Sequence, residues 1–160
     1  MSRSRDDQRL RSRGDGILPL LPLHDFAYTA RLLPVTSPLV AIIDDDDALC
    51  SSLVDLMRSV GYRAEPYSSA ETFLTSVNLL NSQCLVADVH MPGMSGINLV
   101  KSLREQDIMT PVILITALSG KHLDDEAISV GAHCLLRKPF KTDTLLDCIE
   151  RILADERTSR

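Results

Sequence analysis

Four consecutive aspartates, Asp44, Asp45, Asp46 and Asp47, follow directly on the apolar run Leu39-Val40-Ala41-Ile42-Ile43. Three other strand-like segments end on a polar group in the same way: Cys84–Ala87 on Asp88, Pro111–Ile115 on Thr116, and His133–Arg137 on Lys138. Clustered carboxylates repel one another and need a cation, a proton or open water. Oxygen ligands on loops suit Mg²⁺, which keeps several waters and accepts a phosphate oxygen. A carboxylate beside such an ion can attack phosphorus and form an aspartyl phosphate. The ammonium of Lys138 and the hydroxyl of Thr116 would then meet the charge that develops on the phosphoryl oxygens. Each residue alone has a plainer reading: the acids as a solvated loop opening a helix, Asp88 as a turn cap, Thr116 bonded to a strand-end carbonyl, Lys138 on the surface. Convergence of all of them at strand ends is what favours the chemistry. Asp44 and Asp45, which end the run, are expected to face the site, whereas Asp46 and Asp47 start the helix.

The elements that would position these groups are legible as an alternation. Leu39–Ile43 is a short apolar run of the kind buried on both faces of a parallel sheet. Leu49, Leu53, Leu56 and Val60 recur at helical spacing, and Gly61 is placed to end that helix. Tyr62–Tyr67 reads as a strand. Ser68-Ser69-Ala70-Glu71 has the spacing of a capping box and predicts a helix through Phe73 and Val77. Ile97, Val100 and Leu103, then Leu123, Ala127 and Val130, then Leu145, Ile149 and Ile152, mark three more helices between and after the remaining strands. Five strands alternating with five helices predict an α/β fold, a flavodoxin-like (βα)5 doubly wound parallel sheet of order 2-1-3-4-5. In such sheets ligands bind beyond the carboxyl ends of the strands, where the acids, the threonine and the lysine gather.

Composition allows one domain of ordinary size plus an extension in 160 residues. The 44% hydrophobic content supports a core, and the absence of Trp makes it aliphatic. The net charge of −5 argues against nonspecific nucleic-acid binding. No stretch approaches a membrane span. Cys50, Cys84, Cys134 and Cys148 lack metal-site spacing and read as reduced thiols of a cytoplasmic protein. Residues 1–36 carry six Arg and four acids without periodicity, and are expected to be a disordered extension or the product of a mis-assigned start, with translation beginning at Val35. Their short apolar run, broken by Pro19 and Pro22, is a poor signal peptide. The expected domain is 37–154, with 155–160 as a tail.

Four motifs together carry a resemblance. Ile42-Ile43-Asp44-Asp45, Val86-Ala87-Asp88-Val89-His90-Met91-Pro92-Gly93-Met94-Ser95-Gly96, Pro111–Ala117 and Lys138-Pro139-Phe140 resemble, in order, spacing and context, the receiver domain of bacterial two-component response regulators. Tyr67–Leu74 resembles its FixJ-like branch. The resemblance implies that Asp88 is the phosphoacceptor and that Asp44, Asp45, Asp88 and the backbone carbonyl of His90 hold Mg²⁺. It implies that Thr116 and Lys138 contact the phosphoryl group, and that the Lys138–Pro139 bond is cis. The donor would be a sensor histidine kinase or a histidine phosphotransfer protein. Output would pass to a protein target through about 120–154, with homodimerisation on phosphorylation an open option. The chain leaves no room for a DNA-binding domain after its last helix, so a single-domain regulator, or a phosphate shuttle or sink, is expected, catalysing only its own phosphorylation and dephosphorylation.

Three positions depart from the pattern. Leu135 stands where a switch residue is usually aromatic or His, and an aliphatic side chain has no polar tip to turn in and out. Leu118 is apolar where a polar residue is common. His90 could influence the hydrolytic water or simply sit on an exposed loop. These departures keep alive a receiver-like interaction module without phosphate chemistry. A phosphohydrolase of the haloacid-dehalogenase type needs an acid two residues after its nucleophile, where this chain has His90.

Overall fold

The computed structural model describes residues 37–158. The expectations placed on residues 1–36 lie outside the described residues. Strands β1 (Leu39–Ile43), β2 (Arg63–Tyr67), β3 (Cys84–Asp88), β4 (Val112–Thr116) and β5 (Cys134–Arg137) alternate with helices α1 (Asp47–Ser59), α2 (Ala70–Leu74), α3 (Gly96–Glu105), α4 (Lys121–Ser129) and α5 (Thr142–Thr158). All strand pairs are parallel, and the sheet order is β2-β1-β3-β4-β5, as the alternation predicts.

The period of two in the strands divides the core into layers. Val40, Ile42, Val86, Ile113 and Ile115 face one side and pack against α1 and α5, through Leu53, Met57, Leu145 and Ile149. Ala41, Ile43, Leu85, Ala87 and Leu114 face the other and pack against α2, α3 and α4, through Phe73, Ile97, Leu103 and Ala127. Strands β1, β3 and β4 are buried along their whole length, which is why they are apolar up to the polar residues Asp88 and Thr116 that end β3 and β4. Phe73 is fully buried and meets Tyr67 edge to face, with ring centroids 5.1 Å apart.

Two helices differ from their predicted form. The buried stripe of α1 is Cys50, Leu53, Val54 and Met57; Leu49 and Leu56 flank it, and Val60 is exposed. Helix α2 ends at Leu74, so Val77, expected on its buried face, is 87% exposed in the turn that follows. Its cap is Ser69, whose hydroxyl accepts the N–H of Thr72, and Glu71 is not the partner of Ser68 in a capping box.

Strand β2 forms one margin of the sheet. Its Arg63 N–H donates to Pro38 O and its Tyr67 O accepts from Asp44 N–H. The intervening Ala64 and Pro66 therefore turn their backbone outward, where Arg58 Nη2 donates to Ala64 O at 3.1 Å.

Candidate functional site

Because parallel strands share a direction, Asp44, Asp88, Thr116 and Lys138 all arrive at one sheet end. Asp44 follows β1 and is 3% exposed. Its Oδ1 accepts the N–H of Asp46 at 2.9 Å, which turns the chain away from the strand. Asp46 then caps α1, its Oδ1 accepting from Ala48 and Leu49 N–H at 3.0 and 3.1 Å, and Asp47 occupies the first turn, where negative charge suits the helix dipole. Asp46 and Asp47 are therefore spent on the helix, as expected. Asp45 is exposed, and oxygens of Asp44, Asp45 and Asp88 lie within 4.8 Å of one another.

Asp88 is the last residue of β3 and is 6% exposed. Its Oδ2 accepts the N–H of His90 at 3.1 Å, and its Oδ1 is 2.9 Å from Lys138 Nζ. Lys138 also reaches Asp44 Oδ2 at 3.5 Å. Its N–H donates to Thr116 O at 2.7 Å, anchoring the turn after β5, and the following Lys138–Pro139 peptide is cis. Thr116 is fully buried, and its Oγ1 accepts the N–H of Leu118 at 3.0 Å. His90 is exposed beside this crevice, and Leu135 packs half-buried against the α2–α3–α4 layer.

The electrostatics follow from this packing. Burial raises the Asp44 carboxyl above its ordinary value, the Asp46 N–H and the Lys138 charge pull it back, and the Asp88 charge adds to the rise. Burial alone would lower Lys138, but the hydrogen bond to Asp88 and the charges of both acids outweigh it and raise the ammonium. One lysine against three carboxylates leaves negative charge in excess. An all-oxygen donor set with surplus charge fits a hard divalent cation such as Mg²⁺.

Three residues to which the sequence assigned no role at the site also shape it. Gly96 opens α3 against the Asp88 backbone: a Cβ there would lie 2.3 Å from the Asp88 carbonyl oxygen. Its N–H donates to Val89 O at 3.1 Å, closing the loop between β3 and α3. Glu71 reaches this loop from α2. Arg137 donates through Nη1 to Leu118 O and through Nη2 to Asp124 Oδ1, joining β5 to α4. The glycine was visible within a quoted motif, but close backbone approach leaves no signature in spacing.

A family model described as the response regulator receiver domain matches residues 40–150. The response regulator protein TodT of Pseudomonas putida is 38% identical over 114 residues, which cover 71% of this chain and 50% of TodT. The transcriptional regulatory protein FixJ of Bradyrhizobium diazoefficiens is 37% identical over 111 residues, covering 69% of this chain and 54% of FixJ. The chain thus spans about half the length of these curated relatives. The crystal structure of FixJ-N superposes with a TM-score of 0.67 at 32% identity, covering 72% of this chain and 93% of that one.

Proposed function

The chain belongs to the response regulator receiver domain family, and on that premise we propose that Asp88 accepts a phosphoryl group from a histidine kinase or a histidine phosphotransfer protein. The observation that carries this reading is the Lys138 ammonium 2.9 Å from Asp88 Oδ1, at a strand end shared with two further carboxylates. An oxygen of Asp88 attacks phosphorus, the P–N bond to the donor imidazole breaks, and the electron pair returns to that ring. Lys138 holds its charge beside the Asp88 carboxylate, where it meets the charge that develops on the phosphoryl oxygens. Thr116 already accepts a hydrogen bond from Leu118, so its own hydroxyl proton is left to donate to a phosphoryl oxygen. Asp44, Asp45, Asp88 and the backbone carbonyl of His90 would hold Mg²⁺. When bound, the ion supplies neutralisation of the carboxylates and of the transferring group.

In this reading residues 37–154 act as a cytoplasmic receiver that catalyses only its own phosphorylation and dephosphorylation. Its changed charge is read by a protein partner on the 120–154 face. No helix among the described residues is long and apolar enough to cross a membrane. The aliphatic Leu135 favours a second reading, an interaction module that works without phosphate.

Acetyl phosphate with Mg²⁺ separates the two. Intact-mass measurement is expected to show one added phosphoryl group on the parent protein and none on Asp88→Ala. An unmodified parent under saturating donor would favour the second reading.

A further inference from the structure

We infer that Glu71 is a positioning residue for the phosphoacceptor site, holding the loop between β3 and α3 from the neighbouring helix α2. The inference rests on the phosphoacceptor reading above and extends it to a residue outside the acidic cluster.

Glu71 Oε1 accepts the N–H of Met94 at 2.8 Å, across 23 positions of sequence. Because Ser69 caps α2, Glu71 is the second helical residue and its side chain is free to leave the helix. Gly93 makes the approach possible. It has φ +76, and a Cβ there would lie 2.5 Å from the same Oε1. The hydrogen bonds to its own N–H and to Met94 lower the Glu71 carboxyl, consistent with an ionised acceptor.

The loop needs such a tie. Val89 is anchored to β4 through Ile115 O, and Gly96 returns to Val89 O. Between them, the His90 N–H bonds locally to Asp88 Oδ2, and among the described residues the bond from Met94 N–H to Glu71 is the long-range one in 90–94. This segment carries the His90 carbonyl expected at the metal, and its N-terminal end orients the Asp88 carboxylate. Partners one shell outside a metal site typically change affinity by about 10-fold or more when removed.

The test is Mg²⁺ affinity measured by calorimetric titration of the full chain, together with amide exchange at Met94. Glu71→Ala is expected to weaken Mg²⁺ binding about 10-fold and to abolish protection of the Met94 amide. Glu71→Gln keeps a carbonyl oxygen at the same reach and is expected to restore both. Gly93→Ala, which pushes a methyl into Oε1, should reproduce the loss. Unchanged Mg²⁺ affinity in Glu71→Ala, or a Gln variant as weak as Ala, overturns the inference. A parent protein that binds no Mg²⁺ overturns the phosphoacceptor reading instead. Positioning is then read from Met94 alone, and equal protection in parent and Glu71→Ala rejects it.

Discussion

Lys138 Nζ stands 2.9 Å from Asp88 Oδ1 while remaining 3.5 Å from Asp44 Oδ2, so one ammonium serves the two buried carboxylates of adjacent strands. The sharing makes Lys138 structural and chemical at once. It offsets repulsion in the resting protein and stands where a phosphoryl oxygen would arrive.

Lys138→Ala should therefore act on both. With the cation gone, Asp44 and Asp88 face each other across the strand ends. Lys138 is partly exposed, so the loss is moderated by water to about 1–2 kcal/mol, below that of a fully buried pair. Urea unfolding would show it as a lower midpoint. The rate of modification by acetyl phosphate is expected to fall about 100-fold. An unchanged midpoint and rate would refute both roles.

Asp44→Asn should make the metal-free protein more stable at neutral pH. Burial raises the Asp44 carboxyl above its usual 3.8, so the folded state binds this proton more readily than the unfolded chain. The charged form thus costs stability above the raised value, and the cost vanishes as pH falls toward 3.8. The amide keeps an oxygen for the Asp46 N–H. The expected gain is about 1 kcal/mol at pH 7, absent in acid below the ordinary carboxylate value. Thermal melts across pH check the sign, and a lower melting temperature at pH 7 contradicts it.

Gly96→Ala should be among the costliest single methyl additions in the domain. The contact is with backbone, the Asp88 carbonyl oxygen at 2.3 Å, so no side chain can swing aside. Either α3 or the end of β3 must shift, at about 3 kcal/mol, and Asp88 moves with it. Denaturant unfolding is expected to show a lower midpoint with unchanged slope, and modification of Asp88 should slow. A variant as stable as the parent would mean that α3 adjusts freely.

Arg137→Ala should loosen α4 while sparing the chemistry at Asp88. Helix α4 has Gly120 at its N-cap position and so no side-chain cap, and Arg137 ties it to the rest through Asp124 and Leu118 O. Amide exchange over 121–129 should quicken, while global stability changes by about 0–1 kcal/mol, as for an exposed ion pair. Because Leu118 also bonds Thr116 Oγ1, the same variant should blunt any response of α4 to modification of Asp88. Equal exchange in both proteins would remove Arg137 from that connection.

The sheet was legible because burial on both faces writes itself as continuous apolar runs, as in Leu39–Ile43 and Val112–Thr116. The crevice was legible for the same reason: a parallel sheet converts polar run-ends into neighbours. Helix faces were harder to read. Spacing in α1 could be satisfied by the leucines or by Cys50, Val54 and Met57, and the sheet selected the second set. In α2, Val77 matched the period, but the helix gives way after Leu74 to tight turns closed by Ser76 N–H to Phe73 O and Leu79 N–H to Ser76 O, which leave Val77 exposed. Glu71 matched a capping box in sequence, yet a partner 23 residues away took its carboxylate. Long-range polar contacts of this kind have no local signature.

The outward backbone of β2 has a bearing on how such molecules meet one another. A sheet margin with free N–H and C=O groups invites a foreign strand. Here Pro66 has no N–H to offer and Arg58 occupies the Ala64 carbonyl, while Arg63 and Glu65 hold charge along the same strand. These features weaken the pairing of a second chain with this margin. Edge-to-edge pairing between crowded copies of the protein is thereby disfavoured along Ala64–Pro66.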